Sequence, residues 1–164
     1  MLFHAALFLV LVGAAIHVSR LSTRTSRSAG ETVLVWVLVG YCGIPMIGFM
    51  GFGLMHPHEL AEITGFPPGS PFQTFTTWAL LGMGLASTLS WRYRGAYLIG
   101  PALAWSVFFL GATAIHMDQF SAQGDVSHAS LLLIFATHGL ISVILLVALW
   151  LSGVCRLDAS GVKA

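Results

Sequence analysis

Histidine and carboxylate side chains are the groups in this sequence whose type and spacing permit chemistry. His58 and Glu62 stand four residues apart in the stretch from His56 to Ile63, so one helical turn brings both to the same face. His116 is followed two positions later by Asp118, and His138 sits inside the long apolar run 129–154. Neutral imidazole and carboxylate are ordinary ligands of zinc, iron and copper. One expected site is therefore a metal centre drawn from His56, His58, Glu62, His116 and Asp118, with His4 or His128 completing the shell. A second is haem, since two histidines on different helices can supply both axial ligands, and His116 with His138 are the pair for it. A third use is proton relay, because imidazole titrates near neutral pH.

The same residues exclude other chemistry. The run His58-Glu59-Leu60-Ala61-Glu62 is HExxE and lacks the second histidine of the HExxH zinc hydrolases. No spacing yields a nucleophile paired with a base, so no catalytic residue is assigned. Cys42 and Cys155 lie in or at the end of separate apolar runs, without CxxC spacing, and are read as unpaired. Histidines next to loops, such as His56, His58 and His128, also serve simply as contacts to headgroups and water. His138 differs, since an ionisable group deep in an apolar helix is costly unless it has a use or a partner.

The elements that must carry these residues follow from composition. Of 164 residues, 57% are hydrophobic and 8% charged, and the mean hydropathy is +0.87. Soluble domains carry roughly 25% charged residues, so a lipid bilayer is the expected surroundings. There is no basic stripe of the kind that nucleic acid requires. Five apolar segments, 2–19, 32–55, 74–91, 96–120 and 129–154, contain no Lys, Arg or Glu. About 20 residues of helix cross a hydrocarbon core of about 30 Å, and helices satisfy their own backbone in lipid. The expectation is a single all-α domain over 1–164, a polytopic bundle of five transmembrane helices. The first segment is read as retained, because Met1–His4 supplies no positive n-region and 13–17 is a poor cleavage site.

Orientation rests on the basic residues. Arg20, Arg24 and Arg27 follow the first segment, Arg92 and Arg94 the third, Arg156 and Lys163 the fifth. With five crossings all of them lie on one side, which the positive-inside rule makes cytoplasmic, leaving the N-terminus outside. The expected location is a prokaryotic inner membrane. His4, His56, His58, His116, His128 and His138 then gather in the outer half with Glu59, Glu62, Asp118 and Asp125, and only His17 lies at the cytoplasmic end. Counted by helical rise, His138 is about 13 Å deep and His116 about 6 Å, so a pair between them requires staggered helices.

Local signals shape the bundle. Residues 20–31 read as a Ser/Thr/Arg loop into which the first helix could extend, and 92–95 as a tight turn joining an antiparallel hairpin. In the outer loop 56–73, residues 58–63 suit a short interfacial helix, and 66–73 a rigid turn. Pro45 should kink the second helix. Gly82, Ala86 and Ser90, four apart, and Gly40, Gly43, Gly48 and Gly51 suggest close helix contacts.

The stretch Ala61-Glu62-Ile63-Thr64-Gly65-Phe66-Pro67-Pro68-Gly69-Ser70-Pro71-Phe72-Gln73 resembles a family of small bacterial and archaeal membrane proteins of unknown function, whose outer loop reads close to A-E-x-I-G-W-P-x-G-S-P-F-Q. The likeness continues through Trp91–Gly95 and Ser106–Ala112 to His116. It implies a small helical bundle and brings no activity or cofactor with it. This sequence has Gly53 where the family pattern has a histidine, and Phe75 where it has an acidic residue. A site built from those positions and His116 would be incomplete here unless His56 or Glu59 substitutes.

Three roles fit these features. The first is an accessory or binding protein with a metal ion or haem on the outer face. The second is a structural or assembly subunit that packs against other membrane subunits or itself. The third is a small proton- or ion-coupled transporter, disfavoured by the lack of an acidic or basic residue at mid-membrane.

Overall fold

The computed structural model describes residues 2–64, 67–123 and 135–155. Among these residues there are six helices and no strand: α1 (Leu2–Ser19), α2 (Ser26–Met55), α3 (Pro57–Thr64), α4 (Pro71–Leu89), α5 (Ile99–Gln123) and α6 (Leu140–Ser152). A 3-10 turn, Gly95–Leu98, leads into α5, and a π turn, Phe135–Gly139, leads into α6.

Helix α2 starts earlier than the expected residue 32. Thr25 caps it: its Oγ1 accepts the Ser28 N–H, and the Ser28 hydroxyl accepts the Thr25 N–H, each at 3.1 Å. These bonds satisfy backbone donors that a helix start leaves open. Arg27 therefore sits in the first turn of α2, and α1 does not extend through the loop. The Arg24 guanidinium donates to the Ser19 carbonyl and ties that loop to the end of α1.

Pro45 lies in the interior of α2, where its ring lacks an N–H and crowds the carbonyl four residues earlier, that of Tyr41. The chain responds before the proline. Residues Leu38–Gly43 widen into a π turn, and the Ile44 N–H bonds the Val39 carbonyl five residues back. The expected disturbance thus takes the form of a register change that lets the helix run on to Met55.

Helix α2 organises the packing. Its first half lies against α1 and α6, and its π turn and second half lie against α4, while α5 packs on α6. Two glycines permit the closest approaches. A Cβ at Gly30 would fall 2.6 Å from the Ser152 backbone nitrogen, and one at Gly43 would fall 2.6 Å from the Thr88 Oγ1. Gly48, Gly51 and Gly82 have nothing within 4 Å of such a Cβ. The expected contact stripes are therefore made by only some of their members.

Leu34, Val37, Leu38, Cys42, Leu98, Trp105, Ile141 and Leu145 form the fully buried centre. The Trp105 indole N–H donates to the Ser87 Oγ at 2.7 Å, linking α5 to α4. The Tyr97 hydroxyl donates to the Ala86 carbonyl at 2.8 Å and pins the hairpin turn between the same helices. Gly153, at φ +66, ends α6 in the left-handed conformation that glycine adopts without strain. Cys42 is buried, Cys155 is exposed, and both are free thiols.

The observed ends differ from the expected ones by a few residues: Pro71–Leu89 for 74–91, and Ile99–Gln123 for 96–120. Pro71 fits the first helical turn because its missing N–H is one the helix would leave unbonded anyway. By length and composition two helices can cross a membrane, Ser26–Met55 and Gly95–Asp118; Ala5–Ser19 and Thr137–Ser152 are apolar but shorter.

Candidate functional site

Both π turns contribute to one buried locus. Tyr41, in the π turn of α2, donates its hydroxyl to the Thr137 carbonyl in the π turn before α6, at 3.2 Å. A π turn shifts the hydrogen-bond register by one residue and leaves carbonyls that side chains can serve. The Ser142 hydroxyl does the same one turn later, lying 2.9 Å from the His138 carbonyl and 3.3 Å from the Ser106 carbonyl.

These contacts fix the backbone beneath His138. Its Nδ1 is 2.9 Å from the Thr137 Oγ1, which orients the ring. The Phe109 ring meets it edge to face, with centroids 5.4 Å apart, and Trp105 stacks on Phe109 at 5.1 Å. On its other contact the His138 ring meets His116 of α5, centroid to centroid 5.7 Å, with the planes at 66°. Both histidines are half-buried.

Counted from a helix end at residue 120, His116 lies too shallow to meet His138. Helix α5 runs to Gln123, which sets His116 about 10 Å from that end by helical rise. The ring contact itself places the two histidines side by side. Tyr41 and Thr137 were missed by reading ligand types alone; their signal was the proline at 45 and the register change it demands.

The other expected ligands are arranged differently. His56 Nδ1 lies 3.5 Å from Glu59 Oε1, and its ring stacks on Phe52 with centroids 4.6 Å apart. His58 and Glu62 are on α3 as expected, and both are exposed, as is Asp118 on α5. His128 and Asp125 lie outside the described residues. Among the described residues no group of three or more His, Cys, Asp or Glu side chains is arranged to hold a metal ion. Among the described residues, His116 meets His138 and His56 meets Glu59.

A family model matches residues 1–156 and so spans every described element and both members of the buried pair. The chain belongs to DUF6790, a family of unknown function. No curated protein matches the chain, and no solved structure does.

In this DUF6790 chain the Gly69-Ser70-Pro71-Phe72-Gln73 run has a structural role. Gly69 turns at φ +68, the Ser70 Oγ accepts the Gln73 N–H at 3.2 Å, and Pro71 opens α4. The buried Gln73 amide then bridges two segments, accepting the Gly69 N–H at 2.5 Å and donating to the Pro57 carbonyl at 2.9 Å. The loop is thereby clamped to α3. Its residues hold the entry to α4 and supply no ligand cluster.

Proposed function

We propose that this DUF6790 chain is a multi-pass protein of a prokaryotic inner membrane that binds a metal ion between His116 and His138 in an accessory, non-catalytic role. In this reading α1, α2, α4, α5 and α6 make five crossings, with the N-terminus outside. The support for a lipid setting is the lateral surface, where Trp78, Val107, Val143 and Trp150 are each more than half exposed. Apolar surface of that extent is at home against acyl chains. Arg20, Arg24, Arg27, Arg92 and Arg94 follow α1 or α4, consistent with one cytoplasmic side.

The observation that carries the binding reading is the approach of two imidazoles from separate helices. Metal–nitrogen bonds of about 2.0–2.1 Å put the centroids of two imidazoles on one ion roughly 5–6 Å apart. The His116–His138 centroid separation of 5.7 Å falls within that range. The Thr137 hydroxyl beside Nδ1 of His138 is the kind of orienting contact that ligand histidines keep. Two protein ligands leave coordination positions open, which suits a binding or transfer role better than a closed structural site.

The test is purification of the full chain in mild detergent, followed by elemental analysis and a visible spectrum of the same preparation. A bound transition metal is expected. A Soret band would instead assign the pair to haem iron. Metal-free protein with a blank spectrum, after exposure to zinc, copper and iron, overturns the proposal.

A further inference from the structure

The end of the bundle that carries the basic loops holds a pocket of about 430 Å³, within the range of small-ligand sites. One wall is a single stripe of α2: Ser28, Glu31, Thr32, Val35, Trp36 and Val39 recur at helical spacing. Along that stripe the chemistry changes from hydroxyl and carboxylate to purely apolar within about 16 Å. A ligand lying along it must be polar at one end and apolar at the other. Trp91 and Arg94, from the turn between α4 and α5, line the pocket across from α2, and the Arg94 guanidinium sits 5.9 Å from the Trp91 ring centre.

The charges inside the pocket are specific. His17, at the end of α1, accepts the Trp36 indole N–H on its Nδ1 at 3.0 Å. That bond commits the Nδ1 lone pair of His17 to Trp36. The formal charges left are one carboxylate, Glu31, and one guanidinium, Arg94. They line the same space, and they form no ion pair with each other. Among the described residues Glu31 has no other partner either.

We infer that this pocket binds a zwitterionic aminophospholipid, with the phosphate on Arg94, the primary ammonium on Glu31, and the glycerol and first acyl carbons along Val35, Trp36 and Val39. Guanidinium matches phosphate through paired N–H donors, and a carboxylate matches ammonium. An anionic lipid without an ammonium leaves the Glu31 carboxylate unmatched beside negative charge. This site is separate from the His116–His138 pair and rests only on the membrane-spanning part of the proposed function.

The experiment is native mass spectrometry of the full chain in detergent, titrated with phosphatidylethanolamine, with phosphatidylglycerol, and with soluble phosphoethanolamine. Wild type should retain phosphatidylethanolamine about tenfold better than phosphatidylglycerol, as expected for one added charge-assisted hydrogen bond. Glu31→Gln should abolish that preference and leave phosphatidylglycerol binding unchanged, whereas Arg94→Gln should weaken both lipids. Glu31 makes no ion pair or side-chain hydrogen bond among the described residues, so loss of fold is not expected, and circular dichroism checks it. Equal retention of the two lipids by wild type, or an unchanged preference in Glu31→Gln, overturns the assignment. If soluble phosphoethanolamine binds as tightly as the lipid, the ligand is a free headgroup and the lipid assignment fails. A chain that stays in solution without detergent overturns the membrane reading itself, before any lipid is added.

Discussion

His116 and His138 come from helices separated in sequence, yet their rings touch edge to face with centroids 5.7 Å apart. Tyr41 braces the turn that carries one of them. Its hydroxyl holds the Thr137 carbonyl at 3.2 Å, and so fixes the turn that carries His138. Two irregular turns, one demanded by Pro45 and one preceding α6, are joined by this bond.

Tyr41→Phe removes the bond and keeps the ring. Loss of a buried hydrogen bond of this kind costs about 0.5–1.5 kcal/mol, read as a lowered midpoint of thermal unfolding in detergent. The variant should also bind metal more weakly than wild type, since the turn beneath His138 loses its anchor. Unchanged stability together with unchanged affinity would remove Tyr41 from the account.

Gly30 and Gly82 should respond in opposite directions. A Cβ at Gly30 meets the α6 backbone at 2.6 Å, where neither side can yield, so Gly30→Val should cost about 1–3 kcal/mol through overpacking. Gly82 faces open space, and Gly82→Ala should gain about 0.5–1 kcal/mol through helix propensity. Thermal unfolding of both variants checks the pair.

Gln73→Leu keeps the approximate volume and removes both bonds of the clamp. The Gly69 N–H and the Pro57 carbonyl then lose a buried partner, at a cost of about 1–3 kcal/mol. Gln73→Glu retains the acceptor for Gly69 and should fall between the two in stability. Limited proteolysis between α3 and α4 should accelerate in the same order.

Cys155 reports orientation without any engineered residue, because Cys42 is buried and Cys155 is exposed. In the proposed topology Cys155 is cytoplasmic. A membrane-impermeant maleimide should leave intact cells unlabelled and react after permeabilisation, with the signal lost in Cys155→Ser. Labelling of intact cells would invert the topology.

Much of the helical frame was legible because apolar runs and the residues that interrupt them mark helices directly. The short helix over His58–Ile63 and the turn before α4 were also readable, from proline and glycine. The start of α2 was not: Ser28 stands where a capping box usually has Glu or Gln, so 25–28 looked like loop. The π turns were hidden as well, because a register change depends on how a helix accommodates a proline and packs on its neighbours. Ligand types pointed to His116 and His138, but not to Tyr41 and Thr137, which act through a carbonyl. His17 was set aside as the one histidine on the basic side, although its bond to Trp36 spans 19 residues and helps define a pocket. Nothing local to either residue announces that contact.

The most direct test of the His116–His138 site is a double-mutant cycle on metal affinity. Dissociation constants would be measured by chelator competition for the full-length wild type, His116→Ala, His138→Ala and the double variant. If both rings hold one ion, each single variant should lose nearly all affinity and the double variant little more, a large departure from additivity. Additive small losses, or affinity unchanged in either single variant, would contradict a shared site.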